Sequence, residues 1–341
     1  VKLAKKLTRG LSGFVNAILR SVIREQDTIG IEDLAANDIE TISFIYNIPL
    51  WLINLWIREF GRDKTEDLCA WFNEQPKLTA RINTILIDIP QCLALLDEQG
   101  WDVTQDTNYK DIIYINSHRG SLEKSEAFIK GYITFMDKAS MLVARLVNPQ
   151  PGERILDCCA APGGKSMYMA ALMDNVGSLM SCDIHEHKIE LMYSNAERLG
   201  ASIVHTKVQD ATKLPDSWKS YFDRVLVDAP CSGLGILQKK LDMRWRKQES
   251  ILSELPPLQL AILERAAMTV KEKGYLIYST CTLNYKENEE VVEAFLQKHK
   301  EFSIIPVAED FPLKSNSGMI TTYPPTDDMD GFFMVKMQRI S

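Results

Sequence analysis

The spacing of apolar residues predicts that residues 1–75 form a helical domain. Apolar side chains in this region recur every three or four residues, which places them on one face of an α-helix. The clearest such stripe lies within Ser12–Ile23. Further helices are predicted at Ala36–Tyr46, Leu50–Phe60 and Lys64–Asn73, with Pro49, Gly61 and Pro76 as interruptions.

Residues 76–140 combine two patterns. In Thr79–Ile87 and Ile112–Ile115, apolar residues alternate with others, as expected for short strands, whereas Pro90–Gln99 has helical spacing. This combination predicts a small α+β module.

Between residues 141 and 341, continuous apolar runs alternate with helical stretches. The predicted strands are Arg154–Cys158, Gly177–Cys182, Ser202–Thr206, Arg224–Val227 and Gly274–Ser279. The predicted helices are Lys165–Met173, His187–Leu199, Pro257–Lys271 and Asn288–Lys298. Continuous apolar strands separated by helices indicate a parallel sheet covered on both faces. The sequence therefore predicts an α/β domain, with Gly331–Met337 as a late edge strand.

Composition narrows the functional classes. No apolar stretch is long enough to cross a membrane, and there is no signal-peptide pattern. The seven cysteines include no CxxC pair and the five histidines lack zinc-ligand spacing, so no metal is expected. Without an export signal, the protein is expected in the cytoplasm with reduced thiols. Cysteine chemistry, if present, should then be catalytic.

The net charge of −7 argues against a surface coated for nucleic acid, but two segments are basic. Residues 1–25 carry six basic residues against one acidic residue, and residues 239–249 carry five against two. Basic patches on an acidic body are typical of a protein that grips a phosphate backbone locally. Each patch alone is more commonly a solvated helix face.

A candidate cofactor site follows the first strand of the α/β domain. Asp157–Ser166 contains Gly163 and Gly164, which let the backbone come close to a ligand before the next helix begins. This segment matches neither the GxGxxG pattern nor the P-loop. Asp183 could accept both hydroxyls of a ribose, and Asp210 could meet an adenine amino group. Each acid alone could simply cap a helix, but together they predict a pocket for an adenosine-containing molecule.

Two cysteines, Cys231 and Cys281, follow the next two strands. Neighbouring strands lie about 4.8 Å apart, so both thiols are expected to face one cavity. A thiolate that adds to C6 of cytosine breaks the aromaticity of the ring and lets C5 take a methyl group from a sulfonium donor. A second thiol could then remove the C5 proton, and Asp228 is placed to act as an acid near N3. The cysteines expected to be buried and unreactive are Cys69, Cys92, Cys158 and Cys182.

These segments resemble the Sun (Fmu) family of RNA cytosine-5 methyltransferases. The similarity lies in Asp157–Ser166, Asp228–Gly233 and Thr280–Thr282, and it extends to Arg81–Asn83, Asp137–Ser140 and Asp330–Phe333. The resemblance implies a class I methyltransferase fold, a Rossmann-like doubly wound sheet, with S-adenosylmethionine as methyl donor. It implies Cys281 as the nucleophile and Cys231 as an aid to product release, whereas position alone would favour Cys231 as the nucleophile.

The resemblance also implies which residues contact the donor. They are Cys159, Ala160, Ala161, Pro162, Gly163, Gly164, Lys165, Asp183, Asp210 and Asp228. Lys165 and Asp228 are expected in the catalytic site as well, beside the two cysteines.

The helical domain and the basic segments supply candidates for RNA binding. Residues 9–20 look like the last part of a NusB-like RNA-binding domain, which is typical of bacterial members that methylate small-subunit (16S) ribosomal RNA. Because the chain begins with Val1, this domain is expected to be incomplete. The predicted RNA contacts are Arg81, Lys239, Lys240, Arg244 and Arg246. Trp245 is expected either to stack on a base or to pack in the core, and a monomer is the default expectation.

Two alternatives differ in the reaction. An amino-group methyltransferase of the same fold typically has an acid or amide followed by two prolines and an aromatic residue, and Asp228–Cys231 lacks the aromatic. A non-catalytic RNA-binding or assembly factor would not need Lys165, Asp183 and both cysteines. The sequence therefore predicts methylation of C5 of a cytidine in small-subunit ribosomal RNA, with the base unstacked into the pocket.

Overall fold

The structure is a computed structural model that describes residues 2–7, 10–25, 39–315 and 317–340. Arg9 and the start of the helix predicted at Ala36–Tyr46 lie outside the described residues. Residues 1–54 form one compact unit and residues 55–341 form a second. The boundary predicted between residues 75 and 76 falls inside the second unit, and the division into three domains stays a prediction.

The described part of the first unit is helical. Its helices are α1 (Lys2–Leu7), α2 (Ser12–Glu25), α3 (Ile39–Tyr46) and the beginning of α4 (Leu50–Phe60). The apolar stripe predicted within Ser12–Ile23 lies on α2, where no described side chain is buried and Phe14 is 64% exposed. The helices predicted from periodicity are confirmed at α2 and α4.

An antiparallel sheet of four strands follows α5. The elements are α5 (Arg62–Asn73), β1 (Leu78–Ile82), α6 (Ile89–Glu98), β2 (Asp102–Gln105), β3 (Ile112–Ser117), α7 (Glu126–Ile129) and β4 (Ile133–Phe135). The strand order is β2-β3-β1-β4, which confirms the α+β module. β1 ends at Ile82 rather than at Ile87, because the N–H groups of Leu86 and Ile87 donate back to the carbonyl of Asn83 in a turn.

An eight-stranded sheet carries the rest of the second unit. Its elements are α8 (Lys138–Val147), β5 (Arg154–Asp157), α9 (Gly164–Leu172), β6 (Ser178–Asp183), α10 (Glu186–Arg198), β7 (Val204–Val208), β8 (Phe222–Asp228), α11 (Met243–Arg246), α12 (Ile251–Ala267), β9 (Val270–Thr280), α13 (Glu289–Lys298), β10 (Phe302–Ile304), β11 (Met319–Thr321), α14 (Pro324–Asp327) and β12 (Phe333–Arg339). The order is β10-β12-β9-β8-β5-β6-β7, with β11 paired to β12. Strands β5 to β9 run parallel, and α8 and α9 bury one face while α12 and α13 bury the other. The predicted doubly wound α/β sheet is confirmed.

Two predicted elements are wrong in their details. The segment predicted as an edge strand, Gly331–Met337, contributes instead to β12, which lies inside the sheet between β9 and β10. The helix predicted at Pro257–Lys271 begins at Ile251 and ends at Ala267. Its two prolines, Pro256 and Pro257, lie in the second turn, where each removes one backbone donor from the helix.

Candidate active site

The loops that follow β5, β6, β8 and β9 lie at one edge of the parallel sheet. Carboxyl ends of parallel strands share an edge, and ligand sites of doubly wound sheets lie there. Residues 158–163 connect β5 to α9, and the N–H of Ala160 donates to the carbonyl of Cys182 at the end of β6 (2.7 Å). Gly163 has φ 100°, a left-handed conformation that glycine adopts without strain. The predicted cofactor loop is thus held against the neighbouring strand by its own backbone.

Asp157 fixes the base of this loop from inside the protein. It is fully buried, and its Oδ2 accepts a hydrogen bond from Ser166 Oγ (2.7 Å), which in turn accepts one from Ser181 Oγ (2.9 Å). Burial raises the pKa of Asp157 to about 7. The chain of side-chain bonds joins β5, α9 and β6 beneath the loop.

Lys165 and Asp228 form an ion pair at the same edge. Lys165 Nζ lies 2.7 Å from Asp228 Oδ2, and Ser279 Oγ donates to the other oxygen, Oδ1, at 2.8 Å. Burial alone would lower the pKa of Lys165, but the Asp228 carboxylate outweighs it and raises that pKa above its usual value. The Cys281 sulfur adds a smaller effect in the same direction. Lys165 therefore stays protonated at this edge, where its charge is paired with that of Asp228.

The two predicted reactive cysteines face each other. Their Sγ atoms are 3.2 Å apart, and the backbone N–H of Cys281 donates to Cys231 Sγ at 3.3 Å. The hydrogen bond to Cys281 raises the pKa of the Cys231 thiol well above its usual range, and burial and the charge of the Cys281 sulfur raise it further. The structure therefore brings the two thiols into contact, and their catalytic roles stay predictions.

Glu287, a residue that the sequence did not indicate, joins the loops that carry the two thiols. Its side chain is fully buried and accepts four hydrogen bonds: from the N–H and the hydroxyl of Ser232, from Gln259 Nε2 (2.9 Å) and from Asn284 Nδ2 (3.0 Å). Ser232 follows Cys231 directly, and Asn284 lies three residues after Cys281. Glu287 therefore sets the separation of the two loops. A glutamate in a polar stretch gives no sequence signal of burial.

A contact between two glycine backbones lies directly behind Cys281. The N–H of Gly235 donates to the carbonyl of Cys281 (3.0 Å), and the N–H of Gly331 donates to the carbonyl of Gly235 (2.8 Å). A Cβ atom on Gly235 would lie 1.8 Å from the Gly331 carbonyl oxygen, so the approach requires glycine. The segment that precedes β12 is thereby packed against the reactive loop.

The predicted ribose and adenine contacts, Asp183 and Asp210, lie where the sequence places them, at or just after the ends of β6 and β7. Asp183 Oδ1 accepts from the N–H of His185 (3.0 Å), and its Oδ2 lies 3.5 Å from Lys188 Nζ. Asp210 accepts from the hydroxyl and the N–H of Thr212, and these bonds lower its pKa. Both acids thus cap local turns, and their contact with a cofactor stays a prediction.

Two predicted RNA contacts are corrected by the structure. Arg81 is fully buried, and its guanidinium lies 5.2 Å from the Tyr168 ring, with no hydrogen-bond partner among the described residues. Arg244 is 3% exposed and donates to the carbonyl of Phe72 (2.6 Å) and to Asn73 Oδ1 (2.7 Å). Neither guanidinium reaches the surface, so both arginines pack inside the protein and cannot contact RNA phosphates there.

The other predicted RNA contacts divide into two kinds. Lys239 Nζ bonds to Asp137 and, at 2.9 Å, to Asp330 Oδ2, and its side chain is only 29% exposed. Lys240 and Arg246 are exposed. Trp245 is 59% exposed, which excludes the alternative that it packs in the core. Lys239 is therefore occupied by two carboxylates, whereas Lys240, Trp245 and Arg246 are exposed.

A cavity of about 970 Å³ lies beside the Cys281 loop rather than at the thiols. Leu283 and Asn284 line it, together with the carboxylates of Glu59, Glu249 and Glu289. Arg58 and Lys286 line it as well, so its charge is mixed. Neither cysteine of the pair lines this cavity, so it is distinct from the reactive edge.

Over the described parts of the chain, none of the helices has both the length and the apolar character needed to cross a membrane. The same residues contain no cluster of histidine, cysteine, aspartate or glutamate side chains that could hold a metal ion.

A doubly wound sheet with a small-residue loop after β5, and with acids and two thiols at the same edge, defines a class I methyltransferase. Comparison with known proteins also identifies a methyltransferase. The family model described as 16S rRNA methyltransferase RsmB/F matches residues 144–338, and a model for the ferredoxin-like domain of RsmF/B-like methyltransferases matches residues 48–120.

Individual relatives extend this likeness over nearly the whole chain. The chain is 35% identical over 337 residues to the probable ribosomal RNA small subunit methyltransferase B of Bacillus subtilis (strain 168), covering 97% of this chain and 74% of the relative. A protein of the same name from Synechocystis is 36% identical over 344 residues, covering 97% and 75%. The crystal structure of PH0851 superposes with a TM-score of 0.83 at 32% identity, covering 88% of this chain and 68% of that one.

The chain belongs to the RsmB/F family of 16S rRNA methyltransferases. The family resemblance seen in the sequence is confirmed, and S-adenosylmethionine is the cofactor of this methyltransferase family.

Proposed function

We propose that this enzyme methylates C5 of a cytidine in small-subunit ribosomal RNA through a covalent bond between Cys281 Sγ and C6 of the base. The observation that carries the proposal is the thiol pair, with sulfur atoms 3.2 Å apart at the strand edge where the Lys165–Asp228 ion pair also lies. An enzyme that methylates an amino group has no use for two thiols in contact, whereas C5 methylation requires a nucleophile and a base on one ring.

In the proposed first step, the Cys281 thiolate forms the S–C6 bond and the electron pair of the C5–C6 double bond moves toward C5. The Lys165 ammonium, paired with Asp228, supplies the positive charge at this edge. We assign the contact with N3 to Asp228, with Lys165 as the charge that stabilises the anionic ring. Asp228 is held in place on both sides, by Lys165 and by Ser279.

The second thiol is suited to the release step. After C5 has taken the methyl group, a base must remove the C5 proton so that its electrons restore the double bond and expel Cys281. The pKa of Cys231 is raised first by its hydrogen bond to the Cys281 sulfur, then by burial, and then by the charge on that sulfur. Once Cys281 Sγ is bonded to carbon, that charge is gone. We infer that Cys231 can then act as the base, so that Cys281 reacts first and Cys231 second.

The residues at this edge fit S-adenosylmethionine, which supplies an electrophilic methyl group. The loop of residues 159–163 has small side chains and leads into the N-terminus of α9 through the left-handed Gly163, so its backbone is open to close approach. Carboxylates at Asp183, Asp210 and Asp228 follow the neighbouring strands. We assign donor binding to this loop, to Gly164 and Lys165, and to the three acids.

The proposal is tested by isolating small-subunit ribosomal RNA, incubating it with protein and donor, and analysing the digested nucleosides by mass spectrometry. The wild-type protein is expected to produce 5-methylcytidine, and Cys281→Ser is expected to produce none. Cys92→Ala, which removes a buried thiol from α6, serves as the control and should retain activity. N4-methylcytidine as the product, or full activity of Cys281→Ser, would overturn the assignment.

The release role of Cys231 has its own test. Cys231→Ala should stop after methyl transfer and accumulate a protein–RNA adduct, seen as a band that survives denaturing electrophoresis. The double variant that also carries Cys281→Ser should give no such band. If Cys231→Ala turns over normally with no adduct, another base removes the proton.

A further inference from the structure

The segment of residues 239–247, which follows Cys231, has an inner and an outer side. Arg244 points inward to the carbonyl of Phe72 and to Asn73, and Lys239 points inward to Asp137 and Asp330. These bonds fix the backbone of the segment at both ends. The residues between and beside these anchors are therefore held outward on a rigid support.

The outer side presents an aromatic ring among positive charges. Trp245 is 59% exposed and is the one exposed tryptophan of the six, all of which lie in the described residues. Lys240 is exposed close by in sequence, and the Arg246 side chain is 79% exposed, with only a loose ion pair to Asp242 at 3.3 Å. Leu241, also 59% exposed, extends the apolar surface beside the ring. An exposed indole between cations is unusual on a chain with a net charge of −7.

This outer side is coupled to the reactive loop. Met243, in α11 with Trp245, packs its thioether on Gly233, so closely that a Cβ on Gly233 would lie 2.6 Å from Met243 Cε. Gly233 lies two residues after Cys231. Two residues further on, Gly235 bonds to the carbonyl of Cys281. The support of Trp245 and the thiol pair thus belong to one continuous stretch of backbone.

We propose that Trp245, with Lys240 and Arg246, is a stacking platform for an unpaired nucleotide next to the target cytidine; the proposal rests on the function proposed above. A cytidine drawn out of its stack leaves its neighbour without a partner. An exposed indole can replace that partner, because stacking on an aromatic side chain tolerates any base. The adjacent cations meet the phosphates on either side. The alternation of ring and charge on a fixed support matches a single strand of RNA.

The platform is tested by binding, without the methyl donor and in the Cys281→Ser background, so that no covalent step contributes. The probe is a short single-stranded oligocytidylate, and the readout is tryptophan fluorescence together with the dissociation constant. The ring should be quenched on binding. Trp245→Ala should weaken binding about 5- to 100-fold, and Trp245→Phe, which keeps a stacking ring, should bind within a few-fold while losing the quench. Tyr193→Ala, which removes a ring that is 57% exposed on α10, is the matched control and should bind normally.

The charges are tested separately. Lys240→Ala should reduce the slope of log K against log salt by about 0.7, the value for one phosphate contact on a single strand. An unchanged slope would remove Lys240 from the platform and overturn its electrostatic part.

The outcomes separate this inference from the proposed function. If Trp245→Ala binds the oligonucleotide as tightly as its parent, or if Phe and Ala lose affinity equally, the stacking platform is wrong even when 5-methylcytidine is formed. If Trp245→Ala loses affinity but the wild-type enzyme forms no 5-methylcytidine, the platform stands and the proposed reaction fails. Quenching by anionic phospholipid vesicles but not by RNA would assign the surface to a membrane and overturn the proposal.

Discussion

Replacing Glu287 by glutamine tests whether one buried carboxylate holds the two thiol loops together. The change is nearly isosteric, yet it converts one of two acceptor oxygens into a donor. In the native protein the carboxylate accepts four bonds, two on each oxygen. An amide nitrogen at Oε2 would face the Ser232 N–H and Gln259 Nε2, and neither of those bonds could form.

An amide nitrogen at Oε1 is the less costly choice. The Ser232 hydroxyl can turn and accept, but Asn284 Nδ2 loses its acceptor. One stranded buried donor costs about 1–3 kcal/mol, and each of the two bonds kept at Oε2 weakens by about 1 kcal/mol when the charge is lost. The expected loss in the free energy of unfolding is therefore about 3–5 kcal/mol for Glu287→Gln. It should be larger for Glu287→Ala, which strands all four donors.

The assay is urea unfolding followed by circular dichroism, with Glu290→Gln as the control, because Glu290 is an exposed carboxylate three residues further on. The control should change the free energy of unfolding by less than about 0.5 kcal/mol. Glu287→Gln should also lower kcat at least tenfold while leaving the KM for the methyl donor nearly unchanged, since the loops shift but the donor loop does not. A Glu287→Gln protein as stable and active as the wild type would refute the reasoning.

Three further changes have expected outcomes that follow from the structure. Gly235→Ala should lower the free energy of unfolding by more than about 2 kcal/mol and abolish methyl transfer, because its Cβ would lie 1.8 Å from the Gly331 carbonyl oxygen. Gly13→Ala is the control, because a Cβ at Gly13 meets open space. An active Gly235→Ala enzyme would contradict the contact. In the folded protein Asp157 has a pKa of about 7, which is above its value in the unfolded chain. Between about pH 4 and 7 it therefore binds a proton in the native state. The stability that this proton contributes is lost as the pH rises through about 7. The unfolding free energy of Asp157→Asn minus that of the wild type should therefore rise by on the order of 2–4 kcal/mol from pH 4 to pH 7, and a difference independent of pH would exclude the raised pKa. Arg81→Met should leave the free energy of unfolding unchanged or raise it, because burying a guanidinium without a hydrogen-bond partner costs more than burying a thioether. A loss of more than about 3 kcal/mol in the free energy of unfolding would show that the charge is needed.

The parts of the site that the sequence predicted are those fixed by sheet topology. Parallel strands deliver their carboxyl ends to one edge, so Asp157, Cys231 and Cys281 could be placed together from strand patterns alone. The two sulfurs are 3.2 Å apart, which is closer than the strand spacing of about 4.8 Å that the sequence suggested. The residues alone did not distinguish the roles of the two thiols. The family resemblance indicated Cys281 as the nucleophile, and the contact between the sulfurs does not by itself separate their roles.

The misjudged residues share one cause. A charged residue in a sequence carries no sign of which way it points, so Arg81 and Arg244 were expected at the surface and are buried. Glu287 was missed for the same reason, because its hydrogen-bond partners lie up to 55 positions away. The place of β12 between β9 and β10 is likewise a matter of strand order, which local periodicity does not report.

The contact between Cys231 and Cys281 joins positions fifty residues apart, and the backbone behind it requires Gly331, fifty residues further along. No local stretch of this protein can bring the two sulfurs together by itself. Methyl-transfer activity should consequently be lost over the same range of denaturant concentration in which the central sheet unfolds. Folding intermediates that lack β12 should form no covalent adduct with RNA. The enzyme thus acquires its reactivity only once its chain is fully assembled.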